Sequence, residues 1–356
     1  MAGYPGSETE QRVPERVLRP LIEEIFVQCN MSPVDAALLT DTLIKADLRG
    51  CHSHGVFRVP EYVQKLTTGG VDPKGKPRVA RDSQAALLVD GGNSLGQIGA
   101  TFAMRQAIER ARKVSVAAVA VNGSNHCGAM AYFAMLALPE DMIGIATTHA
   151  LPTMAPWGGI DCILGINPMA IAIPAGKEFP IVLDAAFSAV ARGKVKVYHQ
   201  KGIPLPEGWA FDSEGNPTTD TKKALEGILQ PIGQYKGYGF ALVMGILSSV
   251  LSGALFGTEL GKAGCSPKPG KDGHFFMALK IAAFEDVTHF KERTDGIILQ
   301  MRSSRRVSKV KRIYSPGEIE EETEQSYRKE GIPLNRETLK GISGVAAQLG
   351  MASHPI

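Results

Sequence analysis

Cysteine is scarce in this 356-residue chain: five are scattered at Cys29, Cys51, Cys127, Cys162 and Cys265, with no Cys-x-x-Cys among them. That argues against a disulfide framework and a structural zinc site, and points to a reducing compartment. Aromatic residues make up only 6%, so packing relies on aliphatic and small side chains. Neither sign of charge dominates, since 39 Lys+Arg against 36 Asp+Glu leave +3, too little for attraction to a nucleic-acid backbone to organise the protein. The start lacks the basic head and apolar stretch of a secretion signal and the end matches no targeting tail, so a cytoplasmic location is expected. No Gly-x-Gly-x-x-Gly follows a strand, no Walker-type loop exists (Gly264 to Asp272 is the nearest miss), and no Gly-x-Ser-x-Gly or His-Glu-x-x-His occurs.

What is present is an ordinary globular composition, 44% hydrophobic and 21% charged, long enough for two or three folding units. Residues 14–66 read as helical. Ser32 suits an N-cap, Pro33 a first helical position, and Gly50 a helix stop. Short apolar runs rich in β-branched residues then recur at 85–90, 114–121, 142–147, 169–173 and 181–184, with helical patterns between some of them. An α/β body is therefore expected. From Pro316 to Gly350 the pattern is helical again, broken at Pro333.

The one long uncharged run spans Gly237 to Thr258, a length that would admit a membrane span. Its small residues Gly237, Ala241, Gly245, Ser249, Gly253 and Gly257 at intervals of four favour a buried helix packed closely on a neighbour, in this chain or in a second subunit. The basic run from Arg302 to Arg312 is offset by Glu318 to Glu322 and reads as solvated surface.

Chemistry concentrates in two Gly-flanked histidine segments, Arg49-Gly50-Cys51-His52-Ser53-His54-Gly55 and Asn122-Gly123-Ser124-Asn125-His126-Cys127-Gly128. If helix continues from Val56, His54, Arg58 and Tyr62 share one side. An imidazole that exchanges a proton near neutrality beside a guanidinium that grips a carboxylate suits a small carboxylic acid substrate. The same histidines could instead be structural, or His52, His54 and His126 could share a metal.

At these segments, and at Ala155-Pro156-Trp157-Gly158-Gly159, Gly165-Ile166-Asn167-Pro168, Ala191-Arg192-Gly193-Lys194-Val195, Pro217-Thr218-Thr219-Asp220 and Tyr235-Lys236-Gly237-Tyr238-Gly239, the chain closely resembles the type 2 malate/L-lactate dehydrogenase family. That family includes ureidoglycolate and sulfolactate dehydrogenases and diketogulonate reductase. The resemblance implies a mixed α+β protein with a non-Rossmann cofactor domain built on a mixed sheet (81–305), and a helical domain formed by 1–80 with the C-terminal helices of 306–356. It implies NAD or NADP as cofactor, interconversion of a 2-hydroxy acid and a 2-oxo acid, and a homodimer, with no metal, nucleic acid or membrane.

Carried over by position, Ser53 and His54 form the proton-transfer pair, Arg58 binds the substrate carboxylate and Tyr62 lines its pocket. His126 is either a second acid/base or a cofactor contact, and His54 ranks only slightly ahead of it. Asp184, Ala185, Ala186, Lys236, Gly237, Pro316 and Gly317 fall in cofactor-contact regions. Ala150, Ile166 and Gln234 depart from frequent family residues. Lys194 stands where the family's cyclic-imine reductases carry an acidic residue, which favours hydroxy-acid chemistry over imine reduction. A nucleotide-binding module without catalysis and a metal-dependent hydrolase are the rival classes.

Overall fold

The computed structural model describes residues 9–261 and 268–351. Cys265, Gly264 of the near-miss phosphate loop and both chain ends lie outside the described residues. The chain opens with strand β1 (Gln11–Val13) and helices α1 (Glu15–Gln28), α2 (Pro33–Leu48) and α3 (Val59–Thr67). Ser32 caps α2 by accepting from the Asp35 N–H at 3.2 Å, an interaction worth about 1 kcal/mol. Gly50, with φ +73°, makes the left-handed turn that ends it.

The next strands and helices are β2 (Arg78–Ser83), β3 (Ala86–Asp90), α4 (Gly96–Val114), β4 (Val116–Ser124), α5 (Met130–Met135), β5 (Met142–Thr148), β6 (Pro152–Met154), β7 (Leu164–Gly165), β8 (Met169–Ile173) and β9 (Ile181–Ala185). They continue through α6 (Arg192–Gln200), β10 (Ala210–Phe211), β11 (Pro217–Thr218), α7 (Thr221–Glu226), β12 (Ile228–Leu229), α8 (Tyr235–Gly245), β13 (Asp272–Lys280) and α9 (Val287–Arg302). The chain closes with α10 (Glu318–Glu330), β14 (Ile332–Leu334) and α11 (Arg336–Gln348).

A seven-stranded sheet runs β2-β3-β4-β13-β5-β8-β9. It is mixed: β3 and β4 are parallel and the other neighbours antiparallel. All five apolar runs marked by periodicity became strands of this sheet. Its middle strand, β13, was not among them. A second, five-stranded sheet runs β11-β10-β12-β6-β7 around its own core, which includes Met154, Leu164, Val195 and Leu229. Strand β1 pairs with β14, joining the two ends of the described chain, and Leu18, Ile22, Leu43 and Tyr62 share one core with Ile332 and Ile342.

The run from Gly237 to Thr258 corrects its expectation of one long buried helix. Helix α8 passes into a π-type turn at Ile246–Val250 and stops, because Gly253 and Gly257 take left-handed φ of +79° and +56°. The run's small residues Gly237, Ala241, Gly245, Ser249 and Gly257 are buried, whereas Gly253 is exposed. A Cβ on Gly245 would lie 2.5 Å from Asn167 Nδ2, the group that donates to the Ala241 carbonyl at 2.8 Å. The opposite side is apolar and open: Phe240, Val243 and Val250 are 55%, 50% and 58% exposed. Among the described residues no helix is long and apolar enough to cross a membrane. The basic and acidic C-terminal runs pair with each other, as Arg302 and Arg312 both meet the buried Glu318.

Candidate active site

After the Gly50 turn the chain winds through two 3-10 turns, His52–His54 and Val56–Arg58, into α3. Asp47, the last residue but one of α2 and 1% exposed, holds this loop from beneath. One of its carboxylate oxygens accepts from the Val56 N–H at 2.7 Å and the other meets His52 Nδ1 at 2.7 Å. A Cβ on Gly55 would overlap the same carboxylate, so the loop settles this closely only with glycine there. His52 is thereby turned toward Asp47, with its ring stacked on Tyr327. It does not join His54 and His126, and among the described residues no three potential metal ligands cluster.

The loop presents Ser53, His54 and Arg58 together. Ser53 Oγ lies 3.0 Å from His54 Nδ1. Arg58 donates through Nε to the Ser53 carbonyl at 2.8 Å and through one terminal nitrogen to Glu61 at 2.8 Å. Its other terminal nitrogen makes no hydrogen bond among the described residues, so half of the guanidinium fork is open to a carboxylate.

The second histidine arrives from the sheet. Strand β4 ends at Ser124, whose hydroxyl meets His274 Nε2 at 2.8 Å, while His274 Nδ1 meets the Thr148 hydroxyl at 2.7 Å. Burial pushes His274 down to about 4, so this strap across β4, β13 and β5 is made by a neutral imidazole. Beyond Ser124 the chain carries His126 over the start of α4, where a Cβ on Gly96 would overlap the Asn125 carbonyl. The His54 and His126 rings stack with centroids 5.7 Å apart and planes 18° from parallel. Tyr62, fully buried on α3, reaches His126 Nδ1 through its hydroxyl at 2.7 Å, and Gln97 Nε2 donates to that hydroxyl at 2.9 Å. Ser53, His54, Arg58, Tyr62 and His126 are thus one cluster. Gln97 and Asp47 belong to it too, and no sequence motif marked either.

Burial, reinforced by the positive charge of Arg58, pushes His54 down to about 3 and His126 well below its ordinary value. Burial opposes ionisation of Glu61, yet the Arg58 and Lys65 cations beside it hold it well below the usual carboxylate range. The cluster therefore offers two neutral imidazoles beside a fixed cation.

The remaining site candidates border a neighbouring edge. Asp184 on β9 accepts from the Ala131 N–H at 2.7 Å, capping α5 directly after the His126 loop. Ala185 ends β9 and Ala186 follows. Pro316 accepts from the Val182 N–H at 2.9 Å, and Gly317, at φ +86°, lies against Val182. The loop before α8 is tied in through the Ile232 N–H to the Phe187 carbonyl at 2.9 Å, and Gly237 packs on Ile232. Lys236, exposed in the first turn of α8, makes no ion pair among the described residues.

Three comparisons with known proteins agree. The family described as Malate/L-lactate dehydrogenase matches residues 13–343. The malate dehydrogenase of Pyrococcus horikoshii is 38% identical over 348 residues, 96% of each chain, and its solved structure superposes with a TM-score of 0.90 over 99% of both chains. The L-sulfolactate dehydrogenase of Methanocaldococcus jannaschii is 36% identical over 94% of this chain and 96% of its own, and the structure of sulfolactate dehydrogenase from that organism superposes at 0.89 over 96% and 98%. Malate dehydrogenase from Entamoeba histolytica, 31% identical, superposes at 0.92 over 97% of this chain and 99% of its own.

The depressed value of His54 sets a pH test. A lowered pKa means that the ring stays neutral on acidification until the solution approaches about pH 3. In histidine-labelled protein, the His54 carbon signal should hold its neutral position from pH 8 to pH 5, whereas a midpoint near the ordinary value of about 6.5 would show that the ring is not desolvated.

Proposed function

The chain belongs to the malate/L-lactate dehydrogenase family, and we propose that it is an NAD- or NADP-dependent dehydrogenase interconverting a small 2-hydroxy acid and its 2-oxo acid. The observation that carries this reading is the His54, His126 and Arg58 cluster, in which a half-open guanidinium stands beside two neutral imidazoles. Arg58 binds the substrate carboxylate with the part of its fork that Glu61 and the Ser53 carbonyl leave free. In the oxidative direction His54, steadied at Nδ1 by Ser53, takes the hydroxyl proton, and in the reductive direction it returns it. Tyr62 closes the site behind His126.

A bound nicotinamide supplies the hydride acceptor or donor. The residues that would hold the cofactor are Asp184, Ala185, Ala186, Lys236, Gly237, Pro316 and Gly317, with His126 at the boundary. Their chemistry fits: the unpaired Lys236 ammonium stands in the first turn of a helix, where backbone N–H groups favour phosphate. Lys194, set over the Trp209 ring at 5.7 Å, supports hydroxy-acid rather than cyclic-imine chemistry. The free thiols of Cys29, Cys51, Cys127 and Cys162 suit a reducing, cytoplasmic setting.

We also propose that the protein is a homodimer joined through α8 and the turn after it, because Phe240, Val243, Ile246, Val250 and Leu251 leave a contiguous apolar face exposed on the single chain.

The reaction is tested by mixing the protein with NADH or NADPH and a panel of 2-oxo acids that includes oxaloacetate, pyruvate, glyoxylate and sulfopyruvate. At least one should consume the reduced nucleotide, and His54→Ala should lower that turnover by about 10²-fold or more. Nucleotide binding without consumption across the panel, or an undiminished His54→Ala, would contradict the reading. For the dimer, Val243→Glu should shift the protein from dimeric to monomeric mass in sedimentation, and a wild type already monomeric would refute the interface.

A further inference from the structure

Gln97, the second residue of α4, is fully buried and belongs to no motif. Its Nε2 donates to the Tyr62 hydroxyl at 2.9 Å. Its Oε1 is buried without a partner among the described residues. An orphaned buried acceptor costs about 1–3 kcal/mol, so the amide is kept here against its own solvation. As it stands one N–H is used and the other is left with the carbonyl, whereas turning it over would leave both N–H groups orphaned, and an orphaned buried N–H is rarer than an under-satisfied carbonyl. The amide orientation is therefore set, and with it the direction of the next bond. A phenol that accepts from Gln97 has its single proton left to give, and the acceptor in reach is His126 Nδ1 at 2.7 Å. A neutral imidazole that accepts at Nδ1 carries its proton on Nε2. Desolvation and the nearby Arg58 hold His126 in that neutral form.

We propose that Gln97 is a positioning residue that, acting through Tyr62, locks His126 as the Nε2–H tautomer, so that His126 donates a hydrogen bond to the substrate's C2 oxygen and leaves proton exchange to His54. The proposal rests on the dehydrogenase reading above and separates the roles of the two histidines. On oxidation the hydroxyl O–H bond breaks and its proton goes to His54. The C2–H bond breaks and its electron pair leaves as hydride to the oxidised nicotinamide, and the C–O bond becomes C=O. On reduction each transfer reverses, and the Nε2–H of His126 steadies the negative charge that gathers on oxygen. His54 is not locked in this way, because its Nδ1 partner is the Ser53 hydroxyl, which both donates and accepts.

The test is the nitrogen spectrum of 15N-histidine-labelled protein at neutral pH, with the His126 signals identified by their loss in His126→Asn. In the wild type Nε2 should be the protonated nitrogen and Nδ1 the bare one. Gln97→Met keeps the bulk and removes the donor, so Tyr62 becomes free to donate or accept, and both His126 nitrogens should shift toward averaged positions while turnover falls at unchanged KM. Wild-type His126 protonated at Nδ1, or a Gln97→Met spectrum identical to wild type, would overturn the lock. Should Gln97→Met fail to fold, Tyr62→Phe removes the donor to Nδ1 and must shift the same two signals. The spectrum is read without substrate. A protein that shows the locked tautomer but reduces no 2-oxo acid would therefore refute the dehydrogenase reading and the donor role with it, and keep the lock.

Discussion

A buried carboxylate has to find partners or leave the interior, and for Asp47 those partners lie in the loop that holds the proposed proton-transfer pair. Its oxygens take the Val56 N–H and His52, and the bare backbone of Gly55 lets the loop lie against it. Once residues 52–56 are fixed in that way, Ser53 and His54 stand on the far side of the turn and Arg58 folds back onto the Ser53 carbonyl. The end of α2 is clamped from outside as well. Lys45 meets Glu324 at 2.7 Å, and Arg49, itself buried, meets Glu321 at 2.9 Å. Helix α10, from the C-terminal part of the chain, therefore braces the same corner that the end of α2 builds. This gives a physical reason for the chain to bring its two ends together in one helical body.

The sheet contributes the other half. His126 sits past the end of β4, on a segment whose position depends on the His274 bridge to Ser124 and Thr148 and on the close approach of Gly96 to Asn125. The helical body carries the proposed proton-transfer pair and Arg58, and the sheet brings His126 to them. The two meet where the His54 and His126 rings stack and where Tyr62 from the helical body bonds His126 from the sheet. The helix that follows His126, α5, begins on the Asp184 carboxylate. The cluster proposed to be catalytic and the β9 strand end proposed to hold the cofactor therefore meet at one short helix.

Much of this was legible because it is local. A Ser-Pro start, a Gly stop and β-branched apolar runs declare themselves within a few residues, and α2 and five strands of the larger sheet formed where those signals lie. The Gly-flanked histidine segments stood out as a candidate site for the same reason, and the structure brings His54 and His126 together. What stayed hidden depends on distant partners. Strand β13 is defined by pairing to β4 about 150 positions earlier, as its His274 bond to Ser124 shows. The three-residue strands β1 and β14 exist through each other. Asp47 looked like one acidic residue of a helix, although its place beside Leu43, Ile44 and Leu48 on buried positions of α2 is a usable sign. Gln97 gave no sign, since its meaning comes from Tyr62 and His126 on other elements. The apolar run after Lys236 misled because composition does not say which side of a helix lacks a neighbour.

The dependence of the site on Asp47 is most directly measured by comparing Asp47→Ala with the wild type in two readings on one folded preparation: nicotinamide nucleotide binding by fluorescence and turnover of the best 2-oxo acid by absorbance. Binding should be retained, because the residues proposed to hold the nucleotide do not touch Asp47. Turnover should fall by about 10²-fold, the scale of a catalytic group displaced by about 1 Å. A folded variant that binds nucleotide and turns over at the wild-type rate would show that the loop holds its geometry without Asp47 and would contradict the account.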